Sequence, residues 1–217
     1  MGLHGKYRRV VGRRDANDVT TFYFVRHGQI DANVEKKWHG STDSLLNDTG
    51  VKQAYAMAEF FSEQIPNISR VYCSPLKRTL KTAQALADRI NVPLEHEQGF
   101  REFGIGRLEG LAHEVLATEH KMFDSIAKDH DFAVEGGESV LDVRDRFLAA
   151  LSRLKQKHMG EQVAIVSHGA AVAILLAHFF EPAPYPFHEY HMDNTGISKL
   201  VWGDAPVLEV FNQAEHI

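Results

Sequence analysis

Thr20-Thr21-Phe22-Tyr23-Phe24-Val25-Arg26-His27-Gly28 is the stretch that decides the fold. Six consecutive β-branched or aromatic residues predict a buried strand, and the abrupt change to a cation, an imidazole and a glycine predicts a loop at its carboxyl end. The pattern returns twice. Val163-Ala164-Ile165-Val166 runs into Ser167-His168-Gly169, and Arg70-Val71-Tyr72-Cys73 closes on Ser74-Pro75. Helix-like periodicity follows each. Strands alternating with helices predict a three-layer α/β/α domain with a mainly parallel sheet.

The helices are read from their ends. Asn47 or Thr49 can cap a helix whose apolar stripe is Val51, Ala54, Ala58, Phe61 and Ile65, a spacing that stays on one face. Ser74 as N-cap with Pro75 at the first helical position opens another, through Leu86 and Ile90. Ser139 with Asp142 resembles a capping box ahead of Val143, Phe147, Leu151 and Leu154, and Gly160 ends that helix. Residues 112–137 have helical character to about residue 128 with weaker periodicity, and are expected to cover something. The tail returns to strands at 197–202 and 207–211, with Gly203-Asp204 as the turn.

A chain of 217 residues, 44% hydrophobic, can bury one substantial core. The expectation is one domain over residues 19–217, preceded by an extension, 1–18, that carries Lys6, Arg8, Arg9, Arg13 and Arg14. That extension lacks the apolar run of a secretory signal, and no segment approaches the length of a membrane span. A formal charge of −5 gives no whole-chain attraction to nucleic acid or to an anionic membrane. The single cysteine, Cys73, excludes an internal disulfide framework and a thiolate-rich zinc site, so a cytoplasmic protein is expected. Oligomeric state is left open, a homodimer included.

Open α/β sheets bind ligands at the carboxyl ends of their strands, and three polar clusters sit at such ends: Arg26-His27-Gly28, residues 74–78, and Ser167-His168-Gly169. Arg78 falls in the first turn of its predicted helix, where the dipole disfavours a cation and an anion would repair the conflict. Its guanidinium fork matches phosphate oxygens. One histidine after a buried strand is commonly structural. Two of them, each followed by a glycine that lets the backbone pass close to a ligand, point instead to a shared site. With Arg26 and Arg78 beside them the pocket is cationic, holds a neutral nitrogen nucleophile, and lacks carboxylate pairs for a metal. The chain's 13 histidines show no H-E-x-x-H or similar ligand spacing, so no metal is expected.

On these residues the chain resembles the histidine phosphatase superfamily, or phosphoglycerate mutase-like family, in its intracellular branch. Arg26-His27-Gly28 with Asn33 is similar to the family's opening motif, although Gln29 and Ile30 depart from it. Gly40 to Asp43 with Leu46, Gly50, Gln53 and Ala54 match its next block, with Leu45 in place of a proline. Ser74 to Ala83 matches the block that carries Arg78. Arg101-Glu102 with Gly106-Arg107-Leu108-Glu109-Gly110 resembles the acid-bearing block, with Leu108 where an aromatic is usual. Gly137-Glu138-Ser139, His168-Gly169 and Asn194-Thr195 complete the series.

The resemblance implies that His27 attacks phosphorus and becomes a phosphohistidine. It implies that Arg26, Asn33, Arg78 and His168 bind the phosphoryl oxygens, with His168 the second catalytic histidine, and that Glu102 is the proton donor. The implied partner is a small phosphorylated substrate, hydrolysed without cofactor or metal. A cofactor-dependent phosphoglycerate mutase is the alternative, disfavoured by the short segment between Glu102 and His168. A non-catalytic phosphate-binding module would be expected to lose His27, Glu102 or His168. Specificity is expected from residues 112–137 and the loop around Trp38 and His39, with Trp38, Phe103, Phe123 and Phe132 as candidate walls.

Overall fold

The computed structural model describes residues 18–182 and 186–217, so the basic extension lies outside the described residues apart from Asp18. Six strands form one sheet: β1 (Thr20–Arg26), β2 (Ile68–Cys73), β3 (Leu94–His96), β4 (Gln162–Ser167), β5 (Ile197–Trp202) and β6 (Pro206–Gln213). Seven helices accompany them among the described residues: α1 (Asp31–Val34), α2 (Asp48–Gln64), α3 (Lys77–Ile90), α4 (His113–Thr118), α5 (Met122–Lys128), α6 (Val140–Lys157) and α7 (Gly169–Phe180). The strand order is β3-β2-β4-β1-β5-β6. The first four are mutually parallel, β5 pairs antiparallel with β1, and β6 pairs antiparallel with β5.

Alternation along the central strands builds the three layers. Phe22 and Phe24 of β1, with Val163 and Ile165 of β4, face a core that includes Phe147 and Leu151 of α6 and Val172 and Leu176 of α7. Tyr23, Val25, Ala164 and Val166 point the other way, into a core with Met57 and Phe61 of α2 and Leu86 of α3. Successive side chains of a strand point to opposite faces, so an unbroken apolar run is what a strand covered on both sides requires.

The pairing of β1 with β4 matters most for function. Their register sets Arg26 opposite Ser167, and the His27 N–H donates to the Ser167 carbonyl at 3.0 Å. His27 and His168 therefore leave neighbouring parallel strands side by side.

Asn47 caps α2 by accepting from the Gly50 N–H, and Ser139 with Asp142 forms the reciprocal capping box of α6. The third cap differs from expectation. Leu76, not Ser74, stands at the N-cap of α3, and the helix begins at Lys77. Ser74 and Pro75 continue the loop, because the Ser74 hydroxyl is engaged by His168 instead. The strand β3 was not read from sequence; it has three residues, two of them Glu95 and His96. Residues 112–137 contain α4 and α5, tied by a Lys37–Ala112 bridge to the segment after α1. Among the described residues no helix is long and apolar enough to cross a membrane.

Candidate active site

At the carboxyl ends of β1 and β4 lies a cavity of about 310 Å³, lined at its floor by Arg26, His27, Asn33, Glu102 and Gly169. His27 is 4% exposed. Its Nδ1 stands 2.7 Å from the Gly28 carbonyl oxygen. A carbonyl only accepts, so Nδ1 carries the proton and Nε2 keeps its lone pair. Burial, then the Arg78 and Arg26 guanidiniums, hold this imidazole well below its usual pKa, and the Gly28 hydrogen bond opposes them. The ring is neutral, with one nitrogen free to attack.

His168 is held in the opposite tautomer. Its Nδ1 accepts from Arg78 Nε at 3.2 Å, a group that can only donate, so Nε2 bears the hydrogen and donates to the Ser74 hydroxyl at 2.8 Å. Burial, followed by Arg78 and then His27, keeps it well below the usual imidazole range. The two rings meet edge to face with centroids 5.2 Å apart.

Arg78 is fully buried. An isolated buried charge would be prohibitively costly, and the chain answers with carbonyls: Nη1 donates to Thr42 O at 2.6 Å, and Nη2 to His39 O and Gly40 O at 3.0 and 2.8 Å. With the bond to His168, four of its five donors are committed. The carbonyls belong to a loop clasped by Glu109, whose carboxylate accepts from the N–H groups of Gly40, Ser41 and Ile105 and from the hydroxyls of Ser41 and Thr42. Gly40 is required there, because a Cβ would lie 2.2 Å from the Phe103 carbonyl oxygen.

Arg26 supplies what Arg78 has spent elsewhere. One Nη1 bond goes to Met192 O at 2.6 Å, but its buried Nε has no hydrogen-bond partner among the described residues. A buried orphan donor in a cavity floor is a group waiting for an anion. Gly169 lets it approach: a Cβ there would sit 3.3 Å from Arg26 Nε. Asn33 Oδ1 accepts from the Ile30 N–H and from Asn194 Nδ2, which leaves the Asn33 amide N–H₂ as its free end. Asn194 also donates to His27 O at 2.9 Å, so one side chain sets both.

Glu102 lies against the start of α7. It accepts from Ala171 N and Phe103 N at 2.8 and 2.9 Å through Oε1, and from Ala170 N at 3.2 Å through Oε2. An anionic side chain is favoured at a helix N-terminus, and the longer contact leaves Oε2 the freer oxygen.

Six residues singled out from the sequence thus converge. Arg26, His27, Asn33 and Glu102 line the cavity, while Arg78 and His168 stand behind its wall with their polar atoms engaged within the protein. For His168 to donate to a phosphate, Ser74 must give way, whereas Arg78 keeps one uncommitted Nη1–H. Of the candidate walls, Trp38 and Phe123 line the cavity; Phe103 does not and is buried beneath Trp38, and Phe132 packs against the core. The roles of Ser74, Glu109 and Asn194 were missed. Ser74 before a proline looks like a cap, and the motifs holding Glu109 and Asn194 carry no sign of what they touch. Among the described residues no three His, Cys, Asp or Glu side chains stand where they could hold a metal ion.

The sequence profile described as histidine phosphatase superfamily (branch 1) matches residues 22–213. The chain is 32% identical over 212 residues to phosphoglycerate mutase-like protein 4 of Arabidopsis thaliana, covering 94% of this chain and 91% of that one. It is 34% identical over 167 residues to glucosyl-3-phosphoglycerate phosphatase of Mycolicibacterium vanbaalenii, covering 73% of each. In structure it is similar to phosphoserine phosphatase from Entamoeba histolytica in complex with 3-phosphoglyceric acid, with a TM-score of 0.81, 29% identity, and coverage of 91% of this chain and 98% of that one. The imidazole pair at the ends of adjacent parallel strands and the match over residues 22–213 agree: the chain belongs to the histidine phosphatase superfamily, branch 1.

Proposed function

We propose that the chain is a phosphomonoesterase that hydrolyses a small phosphorylated metabolite through a phosphohistidine at His27. The observation that carries this reading is the His27 tautomer: Nδ1–H donates to Gly28 O, and the remaining lone pair of Nε2 belongs to a neutral ring in a cationic floor. Nε2 attacks phosphorus, the N–P bond forms and the ester P–O bond breaks. Glu102, carrying a proton taken up with the substrate, delivers it to the departing oxygen. Water then attacks from the vacated side, gives its proton to Glu102, and the N–P bond breaks to release phosphate and restore both groups. One carboxyl serving both half-reactions is what microscopic reversibility allows.

Arg26 Nε and the Asn33 amide are the donors placed to take equatorial oxygens, where charge spreads in phosphoryl transfer. Arg78 joins them through its uncommitted Nη1–H, and His168 by exchanging Ser74 for the anion. The scheme needs no cofactor and no metal. The same reading takes residues 19–217 as one catalytic domain in the cytoplasm. Phosphatase relatives named for small phosphate esters support it. The mutase-like relative keeps a second reading open, in which another hydroxyl, not water, takes the phosphoryl group.

Release of inorganic phosphate from a panel containing an aryl phosphate, 3-phosphoglycerate and 2,3-bisphosphoglycerate tests the proposal. Hydrolysis should survive a strong chelator and fall to the uncatalysed level in His27→Ala with the melting transition retained. Chelator-sensitive activity, or activity that persists in His27→Ala, contradicts the reading. Isomerisation of 3-phosphoglycerate dependent on the bisphosphate would favour the mutase.

A further inference from the structure

Glu102 sits on a stretch with little regular structure: between β3 and α4 the chain passes through the 3-10 turns Gln98–Phe100 and Gly106–Leu108. Loops are the mobile parts of a fold, yet a proton donor must stay within hydrogen-bond reach of the oxygen it serves. One side chain of α6 meets both conditions. Arg146 Nη1 donates to Gly99 O at 2.8 Å and to Arg101 O at 2.7 Å, and Nη2 donates to Glu102 O at 2.9 Å. Its other two donors close on one carboxylate, Nε on Glu138 Oε1 at 2.7 Å and Nη2 on Glu138 Oε2 at 3.0 Å.

The five N–H groups of one guanidinium thus take five acceptors. Glu138 extends the grip past the acid: its Oε2 also accepts from the Gly104 N–H at 3.1 Å, and its own N–H donates to Gly104 O at 2.8 Å. Packing fixes the same contact. The Phe100 ring lies 4.8 Å from that of Phe147, the neighbour of Arg146, and a Cβ on Gly99 would come 2.7 Å from Arg146 O. Neither Arg146 nor Glu138 lines the cavity, so neither meets the substrate.

A partly exposed ion pair adds little by itself. What sets this one apart is where the remaining bonds go: to Glu102 itself, 44 residues away in the chain, and to the residues on its N-terminal side. The Glu102 carboxylate is meanwhile held by the Ala170 and Ala171 N–H groups of α7. One helix therefore grips the backbone of the acid and the next grips its carboxylate. We propose that Arg146, anchored by Glu138, is a positioning residue for proton transfer by Glu102, holding the acid's backbone so that Oε2 meets first the departing oxygen and then the attacking water. The inference rests on the phosphomonoesterase reading. A lysine would supply the charge without the planar fork that reaches three carbonyls and a carboxylate at once.

The consequence is selective. A displaced acid slows substrates whose leaving oxygen needs a proton and spares those whose leaving group departs as a stable anion. A misplacement of about 1 Å can cost about a hundredfold in rate. Arg146→Ala should therefore lower kcat/KM for benzyl phosphate by about ten- to a hundredfold and leave that for 4-nitrophenyl phosphate nearly unchanged. Glu102 also takes the proton of the attacking water, so kcat on 4-nitrophenyl phosphate should fall, and KM with it, as the phosphoenzyme accumulates. Loss of folded protein scales both substrates alike, cancels from the ratio of their kcat/KM values, and leaves KM where it was.

The benzyl-to-nitrophenyl ratio of kcat/KM in the parent, Arg146→Ala, Arg146→Lys, Glu138→Gln and Glu102→Gln tests the role. Arg146→Lys should recover more of the Tm than of the ratio. Glu138→Gln removes the anchoring charge at constant length; it should lower the ratio less than Arg146→Ala does, and it carries the test if the alanine variant fails to fold. Adding Arg146→Ala to Glu102→Gln should lower the ratio no further. A ratio unchanged in Arg146→Ala and Glu138→Gln, while Glu102→Gln lowers it, overturns the positioning role and leaves the phosphomonoesterase reading standing. The same fall from Arg146→Ala with and without Glu102 also overturns it, since Arg146 would then act apart from the acid. A ratio unchanged in Glu102→Gln would remove the acid from the scheme and the inference with it.

Discussion

His27 and His168 carry the same local signature, a buried strand running into imidazole and glycine, yet they end in opposite tautomers. The Gly28 carbonyl fixes the proton of one at Nδ1 by accepting from it, and the Arg78 Nε–H forces the other to accept at Nδ1. The sequence made both histidines visible because strand ends are legible; it could not assign their protons, which neighbours distant in the chain decide. Ser74 shows the same limit, since a serine before a proline looks like a cap until the ring of His168, 94 residues away, takes its hydroxyl. Glu102 carries a prediction at this scale. If its freer Oε2 delivers the proton, Glu102→Gln should slow alkyl phosphates far more than 4-nitrophenyl phosphate, whose leaving group departs unprotonated. Equal losses on both, measured as kcat/KM, would remove Glu102 from that role.

Elements hold these residues through close backbone approaches. The loop after β1 presses on the start of α2: a Cβ on Gly28 would lie 2.4 Å from Gly50 O, and one on Gly50 would lie 2.1 Å from Gln29 O. Helix propensity alone favours Gly50→Ala by about 1 kcal/mol, whereas overpacking against fixed backbone costs about 1–3 kcal/mol. The variant should therefore melt below the parent and lose activity, because the displaced loop carries His27. A rise in Tm with activity intact would contradict the packing. The α2 and α6 caps were legible because their side chains bond within three residues. The start of α3 and the three-residue β3 were not, since each is set by partners elsewhere in the sheet and site.

Across the whole molecule, the unbroken apolar runs of β1 and β4 specified two covering layers, and the two cores on opposite faces of the sheet are the result. What sequence could not show was that β1 and β4 are neighbours, the pairing that sets the two imidazoles beside each other. Keeping both neutral makes stability depend on pH. Their pKa values are depressed in the fold, so an unfolded chain binds more protons below about pH 6.5. The contribution is intact above that pH and is lost as pH falls toward the folded values, by up to about 1.4 kcal/mol per pH unit for each group. His27→Ala should lose less Tm than the parent between about pH 7.5 and 5.5; a parallel loss would mean His27 is not held neutral. The central claim, that His27 takes the phosphoryl group, is tested most directly by acid-free quenching during turnover of an aryl phosphate, followed by peptide mass mapping. A phosphoryl adduct on His27, absent in His27→Ala, is the predicted result, and an adduct on any other residue would contradict it.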